Sequence, residues 1–377
     1  MSELRIGLEG VAIAESEISS VNGEKGELIY RGEWAEEAVK NHSYEAIVYL
    51  LWYGHLLSGE EEKIFKEKLA SKRALPHYMK EIIKSLPKDT TPMVVIRTAV
   101  SSLKVSGDSW PPTDEQAIEI LAKIPTIITF HHNFIQGKKE IAPNPKLGHV
   151  ADYLYMLHGK EVKESYVRAL EIYLMLSADH DMNASTFTAR VVTSTRADIV
   201  SAIVSAIGAL IGPLHGGAPS KVDDMLDLIG KEENAEPWIR AQLEKGERLM
   251  GFGHRIYKTY DPRAAALKEV CKKFADESPL FKLSLYVEKV ATKLLEEYKP
   301  GRKLYPNLEF WAAGVLRTIE LPRELYTPTF CLGRVAGWSA HIMEQAANNR
   351  LIRPSIVYVG PYPANPAPHH RIDEGKH

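Results

Sequence analysis

The chain has 377 residues, of which 45% are hydrophobic and 25% charged, and its formal net charge is −2. This composition is typical of a globular protein with one or two domains. The low net charge argues against a nucleic-acid partner or an anionic membrane surface. The two cysteines, Cys271 and Cys331, form no CxxC pair. We therefore expect neither structural disulfides nor a thiolate zinc site, and a reducing, cytoplasmic compartment is favoured.

The N-terminal sequence MSELRIGLEG has no basic start followed by an apolar core, so we expect no signal peptide. The most apolar stretch, residues 199–211, is too short to span a bilayer and contains Ser201, Ser205 and Gly208. A buried helix explains it better. Its small residues would let a second helix approach closely, so we expect a helix-packed subunit interface here.

The first predicted elements are two β-like segments, 13–21 and 27–31, which lie on either side of a turn at Asn22-Gly23. Asn-Gly is a strong turn sequence, so a small N-terminal β-hairpin is predicted. Nearly everything after it has the pattern of helices, which are predicted at 44–54, 60–70, 117–134, 167–177, 199–211, 264–275, 283–298 and 329–347. Gly54 should end the first helix, and Pro125 should kink or break the third. Strands do not alternate with helices, which argues against a doubly wound sheet.

The motif GPLHGG places His215 after the apolar helix, just before a helix expected to begin near Gly217. The positive end of a helix dipole favours a neutral imidazole. Such a ring can donate a hydrogen bond to a developing enolate oxygen. The same residues also fit a turn histidine whose glycines only permit positive φ.

The motif GFGHRIYKTYDPR combines His254 with Arg255, Lys258 and Arg263. Its glycines let backbone amides come close to a ligand. No strand precedes the G-x-G sequence, so a dinucleotide fold is rejected. The histidine and the cations together fit a phosphate-bearing cofactor and a carboxylate substrate, with a solvated basic loop as the alternative.

Two arginines near the C-terminus are candidates for binding an anion. Arg334 shares a helical face with Trp338 and His341. Because a buried unpaired arginine is costly, Arg334 needs either a structural carboxylate such as Glu344 or a substrate carboxylate. His341 is predicted to be a core histidine. Arg353 precedes a proline, which extends its backbone, so it either reaches across an interface or is a surface charge.

Glu309 lies among apolar residues in YPNLEFWAAG. Loss of hydration there would raise the pKa of Glu309 from the usual ~4 toward that of a useful base. On an exposed helix turn its pKa would stay at the ordinary value. His180 and Asn183 lie in ADHDMNAST. No HExxH motif occurs, so no metal site is expected.

These motifs resemble the citrate synthase family along nearly the whole chain. The matching segments are GLEGV, YRG, HDMNAST, GPLHGG, LMGFGHRIYKTYDPRA, YPNLEFW, GRVAGW and NRLIRP. The length and the hairpin are similar to the shorter, dimeric members from archaea and bacteria. The ending HIMEQAANNRLIRPS also resembles 2-methylcitrate synthases, which take propionyl-CoA.

The resemblance implies an almost all-α fold with a large domain (1–211 and 317–377) and a small domain (212–316) on either side of a cleft. It also implies a homodimer that packs through helices, including the one that ends near Ile211. The co-substrate would be a coenzyme A thioester, with no permanently bound cofactor.

Site roles follow from the resemblance by position. His215 would hydrogen-bond the thioester carbonyl, His254 would bind and protonate the ketone oxygen of oxaloacetate, and Glu309 would be the base. The oxaloacetate ligands would be His180, Asn183, Arg263, Arg334 and Arg353, the last supplied by the neighbouring subunit. The coenzyme A contacts would be Leu249, Met250, Gly251, Gly253, Arg255 and Lys258.

One position departs from the family pattern, because the base is usually an aspartate and this chain has Glu309. The longer side chain moves the carboxylate by roughly an ångström, a displacement that can cost about a hundredfold in rate. The implied activity is condensation of acetyl-CoA with oxaloacetate and hydrolysis of citryl-CoA to citrate. The alternatives are a 2-methylcitrate synthase that uses propionyl-CoA, a low-activity homologue that binds acyl-CoA or dicarboxylates, and a structural helical dimer.

Overall fold

The structure, a computed structural model, describes residues 4–8, 10–216, 219–273 and 279–361. Residues 16–351 form one compact unit, apart from the gaps in the described ranges. The described parts of 1–15 and 352–377 form a second unit, which contains a short 3₁₀ helix at Ile6–Leu8.

The larger unit is mostly helical. Among its described residues one sheet forms, which consists of β1 (Ser19–Asn22), β2 (Glu27–Tyr30) and β3 (Glu33–Trp34), paired antiparallel in that order. The helices are α1 (Ala35–Asn41), α2 (Tyr44–Tyr53), α3 (Gly59–Ser71), α4 (His77–Ser85), α5 (Pro92–Ser101), α6 (Asp114–Ile135), α7 (His149–His158), α8 (Glu164–Ser177), α9 (Ala184–Ser194), α10 (Ile199–Ile211), α11 (Pro219–Ile229), α12 (Glu232–Glu244), α13 (Pro262–Lys273), α14 (Pro279–Tyr298), α15 (Leu308–Thr318) and α16 (Tyr326–Ala347). A 3₁₀ helix at Arg323–Leu325 leads into α16.

The predicted hairpin is confirmed, although its strands are shorter than expected and β3 was not predicted. Asn22 pairs with Glu27, so the turn contains four residues. The positive φ occurs at Gly26, at 71°, and the Asn22 side chain accepts the Lys25 N–H at 3.1 Å. The turn therefore closes around the Asn22 side chain, and residues 13–18 are not part of the strand.

All eight predicted helices are present, with the part of the 264–275 prediction beyond Lys273 lying outside the described residues. Gly54 ends α2 with φ 83°, as predicted. The helices that sequence patterns missed are mostly short, such as α1 and α4. Isolated helices of this length are marginal in water, so they depend on tertiary packing that periodicity alone does not reveal.

The expected break at Pro125 is wrong, because α6 continues through it. A proline inside a helix removes one backbone hydrogen bond and costs about 3 kcal/mol. Every residue from 116 to 133 is buried, so burial of apolar surface offsets that cost. Packing here overrides local preference.

α16 is the central helix of the unit, buried along most of its length and packed against α2, α6, α8, α9 and α10. Helices α11 to α15 pack chiefly against one another, and α13 and α15 also contact α8. The division into a large and a small domain stays a prediction. Across the described ranges, no helix combines the length and the apolar character needed to cross a membrane.

Candidate active site

The loop between α12 and α13 carries His254, and it is held against the segment that leads into α15. The Gly253 N–H donates to the carbonyl of Tyr305 at 2.8 Å. The side-chain amide of Asn307 donates to the carbonyl of Gly253 at 2.9 Å. These two hydrogen bonds bring the start of α15, and with it Glu309, next to the histidine loop.

The ring of His254 is fixed by its own loop. Its Nδ1 accepts the backbone N–H groups of Ile256 at 3.1 Å and Tyr257 at 3.2 Å, so a neutral ring carries its proton on Nε2. That Nε2 lies 3.3 Å from a terminal nitrogen of Arg263, a group that only donates, so with this tautomer the two nitrogens are neighbours without a hydrogen bond between them. Burial and the charge of Arg263 lower the pKa of His254 to about 4. The imidazole is therefore neutral near pH 7 and presents an N–H donor beside a guanidinium.

Arg263 lies in the first turn of α13 and is buried together with the carboxylate of Asp261, the last residue of the loop that carries His254. Asp261 accepts Nε of Arg263 at 3.0 Å and a terminal nitrogen at 2.9 Å. The same carboxylate accepts the N–H of Leu308, the first residue of α15, at 3.2 Å. Burial alone would raise the pKa of Asp261, but Arg263 holds it below its ordinary value. One ionised carboxylate thus fixes both the guanidinium and the start of the helix that carries Glu309.

Glu309 follows Leu308 in the first turn of α15, and Asn307 caps that turn. Its Oε2 is buried and makes no hydrogen bond within the described parts of the chain. Burial raises the pKa of Glu309 to about 7, with the charge of Arg263 acting in the opposite direction. The alternative of an exposed glutamate therefore does not hold. A carboxyl group with this pKa is partly ionised at pH 7 and can accept a proton.

Arg334 is buried near the middle of α16. Its Nε donates to the carbonyl of Ser177 at 2.7 Å, and its guanidinium lies over the ring of Phe330. Its terminal nitrogens have no hydrogen-bond or ion-pair partner among the residues that the structure describes. Glu344, the structural partner that the sequence left open, pairs with Arg190 instead. The terminal nitrogens of Arg334 are therefore available to donate hydrogen bonds to a carboxylate from outside the chain.

His215 lies in the turn after α10, beside the first turn of α9. The backbone N–H of Ser185 is 3.3 Å from Nε2 of His215, and the Ser185 hydroxyl is 2.7 Å from the same nitrogen. A backbone N–H only donates, so Nε2 is the acceptor and a neutral ring carries its proton on Nδ1. Burial and the charge of Arg334 lower the pKa of His215 to about 4.

His180 joins the end of α8 to the loop that carries His254. Its Nε2 lies 3.1 Å from the hydroxyl of Tyr257, and its ring centroid is 5.5 Å from that of His254. Burial and the charge of Arg263 hold the pKa of His180 well below its ordinary value. Two neutral imidazoles and one cation therefore lie side by side.

The predicted site residues that the structure brings together are His180, His215, His254, Arg263, Glu309 and Arg334. The charge of Arg334 acts on both His215 and Glu309. The charge of Arg263 acts on His180, His254 and Glu309. Residues that are distant in sequence therefore share one electrostatic environment.

Comparison with known proteins identifies the family of the chain. The family profile described as citrate synthase, C-terminal domain, matches residues 7–355. A Bacillus subtilis (strain 168) protein named citrate synthase 2 is 42% identical over 364 residues, which cover 94% of this chain and 95% of that protein. The chain belongs to the citrate synthase family.

Two further relatives of the citrate synthase family extend the comparison. A 2-methylcitrate synthase of Shewanella oneidensis is 36% identical over 370 residues, covering 96% of each chain. A ternary complex of carboxymethyl coenzyme A and oxaloacetate with the citrate synthase of Thermoplasma acidophilum superimposes with a TM-score of 0.86 at 31% identity, covering 98% of this chain and 99% of that one. The predicted all-α, citrate synthase-like fold is confirmed.

The positions that the family resemblance assigns to coenzyme A lie on the loop that carries His254 or just before it. Leu249 is buried, whereas Arg255 and Lys258 are exposed. The ammonium group of Lys258 donates to the carbonyl of Arg255 at 3.1 Å. The remaining positions assigned to coenzyme A are Met250, Gly251 and Gly253, and both glycines have positive φ. Their part in binding stays a prediction.

Two predicted oxaloacetate ligands have other placements. Asn183 caps α9, since its side-chain oxygen accepts the Thr186 N–H at 3.1 Å, and the same oxygen lies 2.8 Å from the Ser185 hydroxyl. Arg353 lies in the terminal unit and is exposed there. The binding roles assigned to both residues by the citrate synthase family stay predictions.

The residue before His180 anchors the site in the core. Asp179 is fully buried, lies 3.2 Å from Nε2 of His341 and accepts the hydroxyl of Ser19. Arg190 donates to Nδ1 of His341 at 2.7 Å, so the proton of a neutral ring faces Asp179. The prediction of His341 as a core histidine with satisfied partners is confirmed.

Tyr173 is a site residue that sequence reasoning missed. It is fully buried on α8, and its hydroxyl makes no hydrogen bond within the described ranges. Burial and the charge of Glu309 raise the pKa of Tyr173 well above its ordinary value, and Arg334 and Arg263 act on it in the opposite direction. A hydroxyl in the middle of an apolar helix was the available clue. Tyr257, Ser185 and Asp261 were also missed as partners, although they lie within the quoted motifs.

Proposed function

We propose that this chain condenses acetyl-CoA with oxaloacetate and hydrolyses the citryl-CoA that forms, as an acyltransferase that releases citrate and coenzyme A. One observation carries the proposal. Glu309, whose carboxyl oxygen Oε2 is buried and whose pKa is about 7, lies among histidines that are held neutral and arginines that lack a full set of partners. Formation of a carbon–carbon bond next to a thioester requires such a base, neutral hydrogen-bond donors and cations that bind the substrate.

The first step removes a proton from the methyl carbon of the thioester. Glu309 takes this proton, and the electron pair moves toward the thioester oxygen. Nδ1–H of His215 donates a hydrogen bond to that oxygen, so the negative charge does not develop unopposed. The tautomer set by Ser185 supports this direction of donation.

In the second step, the new carbon nucleophile attacks the ketone carbon of oxaloacetate. The thioester carbonyl re-forms, and the ketone oxygen takes a proton from Nε2 of His254. Transfer of a proton from Glu309 back to His254, directly or through water, restores both groups. Water then adds to the thioester carbonyl, the carbon–sulfur bond breaks, and coenzyme A leaves as the thiol.

The substrate carboxylates are assigned to the arginines. Arg334 has unused terminal nitrogens, and Arg263 lies beside the donor of His254, so both support binding of a dicarboxylate. His180 and Asn183 complete this set, and Arg353 of a second subunit is proposed to close it. Lys258 and Arg255 would bind the phosphates of coenzyme A, and residues 249–253 its adenine.

We propose a cytoplasmic homodimer that packs through α10. Ser201 and Gly208 on this otherwise apolar helix are exposed in the single chain, and a Cβ added at Gly208 would meet no atom within 4 Å. A smooth helix face of this kind supports close packing of a second helix. Both cysteines are free thiols and buried, in keeping with a reducing compartment.

The second candidate is 2-methylcitrate synthesis from propionyl-CoA, which the Shewanella oneidensis relative favours by its name. The two acyl groups differ by one methylene, a difference worth only about 1–3 kcal/mol of discrimination. A thiol-release assay with oxaloacetate and each acyl-CoA in turn decides between them by kcat/KM.

The same assay tests the main proposal. Acetyl-CoA and oxaloacetate together should release thiol, while His215→Ala and Glu309→Ala should lose about 100- to 10,000-fold in rate with the fold intact. Full activity in both variants would overturn the assigned roles. Calorimetric binding of both ligands without thiol release would instead favour a binding homologue, and absence of binding a structural dimer.

A further inference from the structure

The turn of the N-terminal hairpin, residues 22–26, lies directly against the loop that carries His254. The Gly23 carbonyl accepts the Lys258 N–H at 2.9 Å. A Cβ added at Gly23 would clash with the Ile256 carbonyl group, because it would lie 2.8 Å from the carbonyl carbon. One added at Gly26 would lie 2.6 Å from the Tyr260 carbonyl oxygen. The hairpin turn and the loop are therefore in backbone-to-backbone contact.

The contacted peptide group also determines the orientation of the His254 ring. The Ile256 carbonyl and the Tyr257 N–H belong to one planar peptide unit. That N–H donates to Nδ1 of His254 at 3.2 Å, and the side chain of the same Tyr257 carries the hydroxyl that lies 3.1 Å from His180. Any displacement of the Ile256 carbonyl therefore rotates a hydrogen-bond donor of His254.

The close approach, and not the backbone conformation, is what requires glycine at position 23. The φ of Gly23 is not positive, whereas Gly26 has φ 71°. The left-handed backbone that favours glycine does not occur at Gly23, so the cost of alanine there would come from its contact with Ile256. This distinguishes Gly23 from an ordinary turn glycine.

We propose that Gly23 is a positioning residue for His254. By having no side chain, it lets the hairpin turn hold the Ile256–Tyr257 peptide in the orientation that keeps Nδ1 of His254 an acceptor and Nε2 the donor. The inference rests on the proposed role of His254 as the donor to oxaloacetate. It gives the hairpin, which is distant in sequence from every assigned site residue, a role in positioning the His254 ring.

The test compares Gly23→Ala with Gly59→Ala. Gly59 begins α3, has no positive φ, and a Cβ there meets no atom within 4 Å. We expect Gly23→Ala to lower kcat/KM about 10- to 100-fold, because displacements of about 1 Å at a reacting group have effects of this size. Gly59→Ala should match the wild type. Unchanged kcat and KM in Gly23→Ala would overturn the proposal.

A second readout does not depend on turnover. Imidazole ¹⁵N shifts of His254 should show unprotonated Nδ1 in the wild type and in Gly59→Ala, and a mixture of tautomers in Gly23→Ala. Identical spectra in all three proteins would refute the inference even if the wild type proved inactive, an outcome that would separately refute the proposed function. If Gly23→Ala fails to fold, hydrogen exchange of the Lys258 amide in the wild type decides. Protection supports the contact with Gly23, and exchange at the rate of an exposed loop refutes it.

Discussion

Ser185 reaches one ring nitrogen of His215 with two of its atoms, the backbone N–H at 3.3 Å and the hydroxyl at 2.7 Å. The hydroxyl also accepts the indole N–H of Trp338 at 3.0 Å. A residue in the first turn of α9, tied to the central helix α16, thus sets the tautomer of a histidine in a separate loop. The direction in which His215 donates is therefore fixed by the core.

Activity should rise with pH around a midpoint near 7. Glu309 must be ionised to act as a base, and its pKa is raised to about 7, so about a tenth of the molecules are competent at pH 6. The pKa values of His215 and His254 are lowered to about 4, so both rings stay neutral throughout this range. Measurement of kcat/KM from pH 5 to 9 should show one rising limb. A midpoint near the ordinary glutamate value of ~4 would contradict the assignment of the base.

Glu309→Asp should lower kcat about a hundredfold. Asp261 fixes the Leu308 N–H, so the backbone does not advance to compensate for a shorter side chain, and the carboxylate would withdraw by roughly an ångström. Steady-state kinetics with acetyl-CoA and oxaloacetate check this. A rate gain would show instead that the longer side chain is a handicap inherited by this chain.

Arg334→Met should weaken binding of oxaloacetate while it stabilises the ligand-free fold. Loss of charge-assisted hydrogen bonds, worth about 1.5–3 kcal/mol, should raise KM for oxaloacetate about 10- to 100-fold. A buried cation without a carboxylate partner is costly to desolvate, so the free energy of unfolding should increase by about 1–2 kcal/mol. Denaturant unfolding and steady-state kinetics measure the two effects.

The control is Arg73→Met, because Arg73 is also buried but lies 3.2 Å from the carboxylate of Asp152. Removing this arginine leaves a buried carboxylate unpaired and should destabilise the fold by about 3–5 kcal/mol. If both variants lost stability equally, Arg334 would have a structural partner and its role in binding oxaloacetate would be wrong.

Sequence patterns pointed to many of the residues that lie close together here because those residues occur in local motifs. His215 and His254 are each adjacent to a glycine, and Arg263 follows His254 by nine residues within the same motif, so these groups can be recognised from the sequence alone. What determines their chemistry is not local. Asp261 joins Arg263 to the start of α15, and that contact exists only once the chain has folded.

The same distinction holds for the fold. Long periodic segments such as α10 and α16 follow the apolar pattern of the sequence. At Pro125 the helix does not break, because burial along α6 outweighs the loss of one hydrogen bond. The packing partners that provide this burial come from distant parts of the chain.

Tyr173→Phe should shift the pH midpoint of activity above 7. The Tyr173 hydroxyl is buried within the electrostatic reach of Glu309 and has no acceptor among the described residues, so we expect its O–H to turn toward the ionised carboxylate and stabilise it. Without it the pKa of Glu309 should rise, and activity at pH 7 should fall about threefold to tenfold, with recovery at higher pH. The matched control is Tyr153→Phe, since the Tyr153 hydroxyl is also buried but pairs with Thr329 at 2.8 Å. The control should lose about 1 kcal/mol of stability and keep the wild-type pH profile. Identical pH profiles for Tyr173→Phe and the wild type would remove Tyr173 from the site.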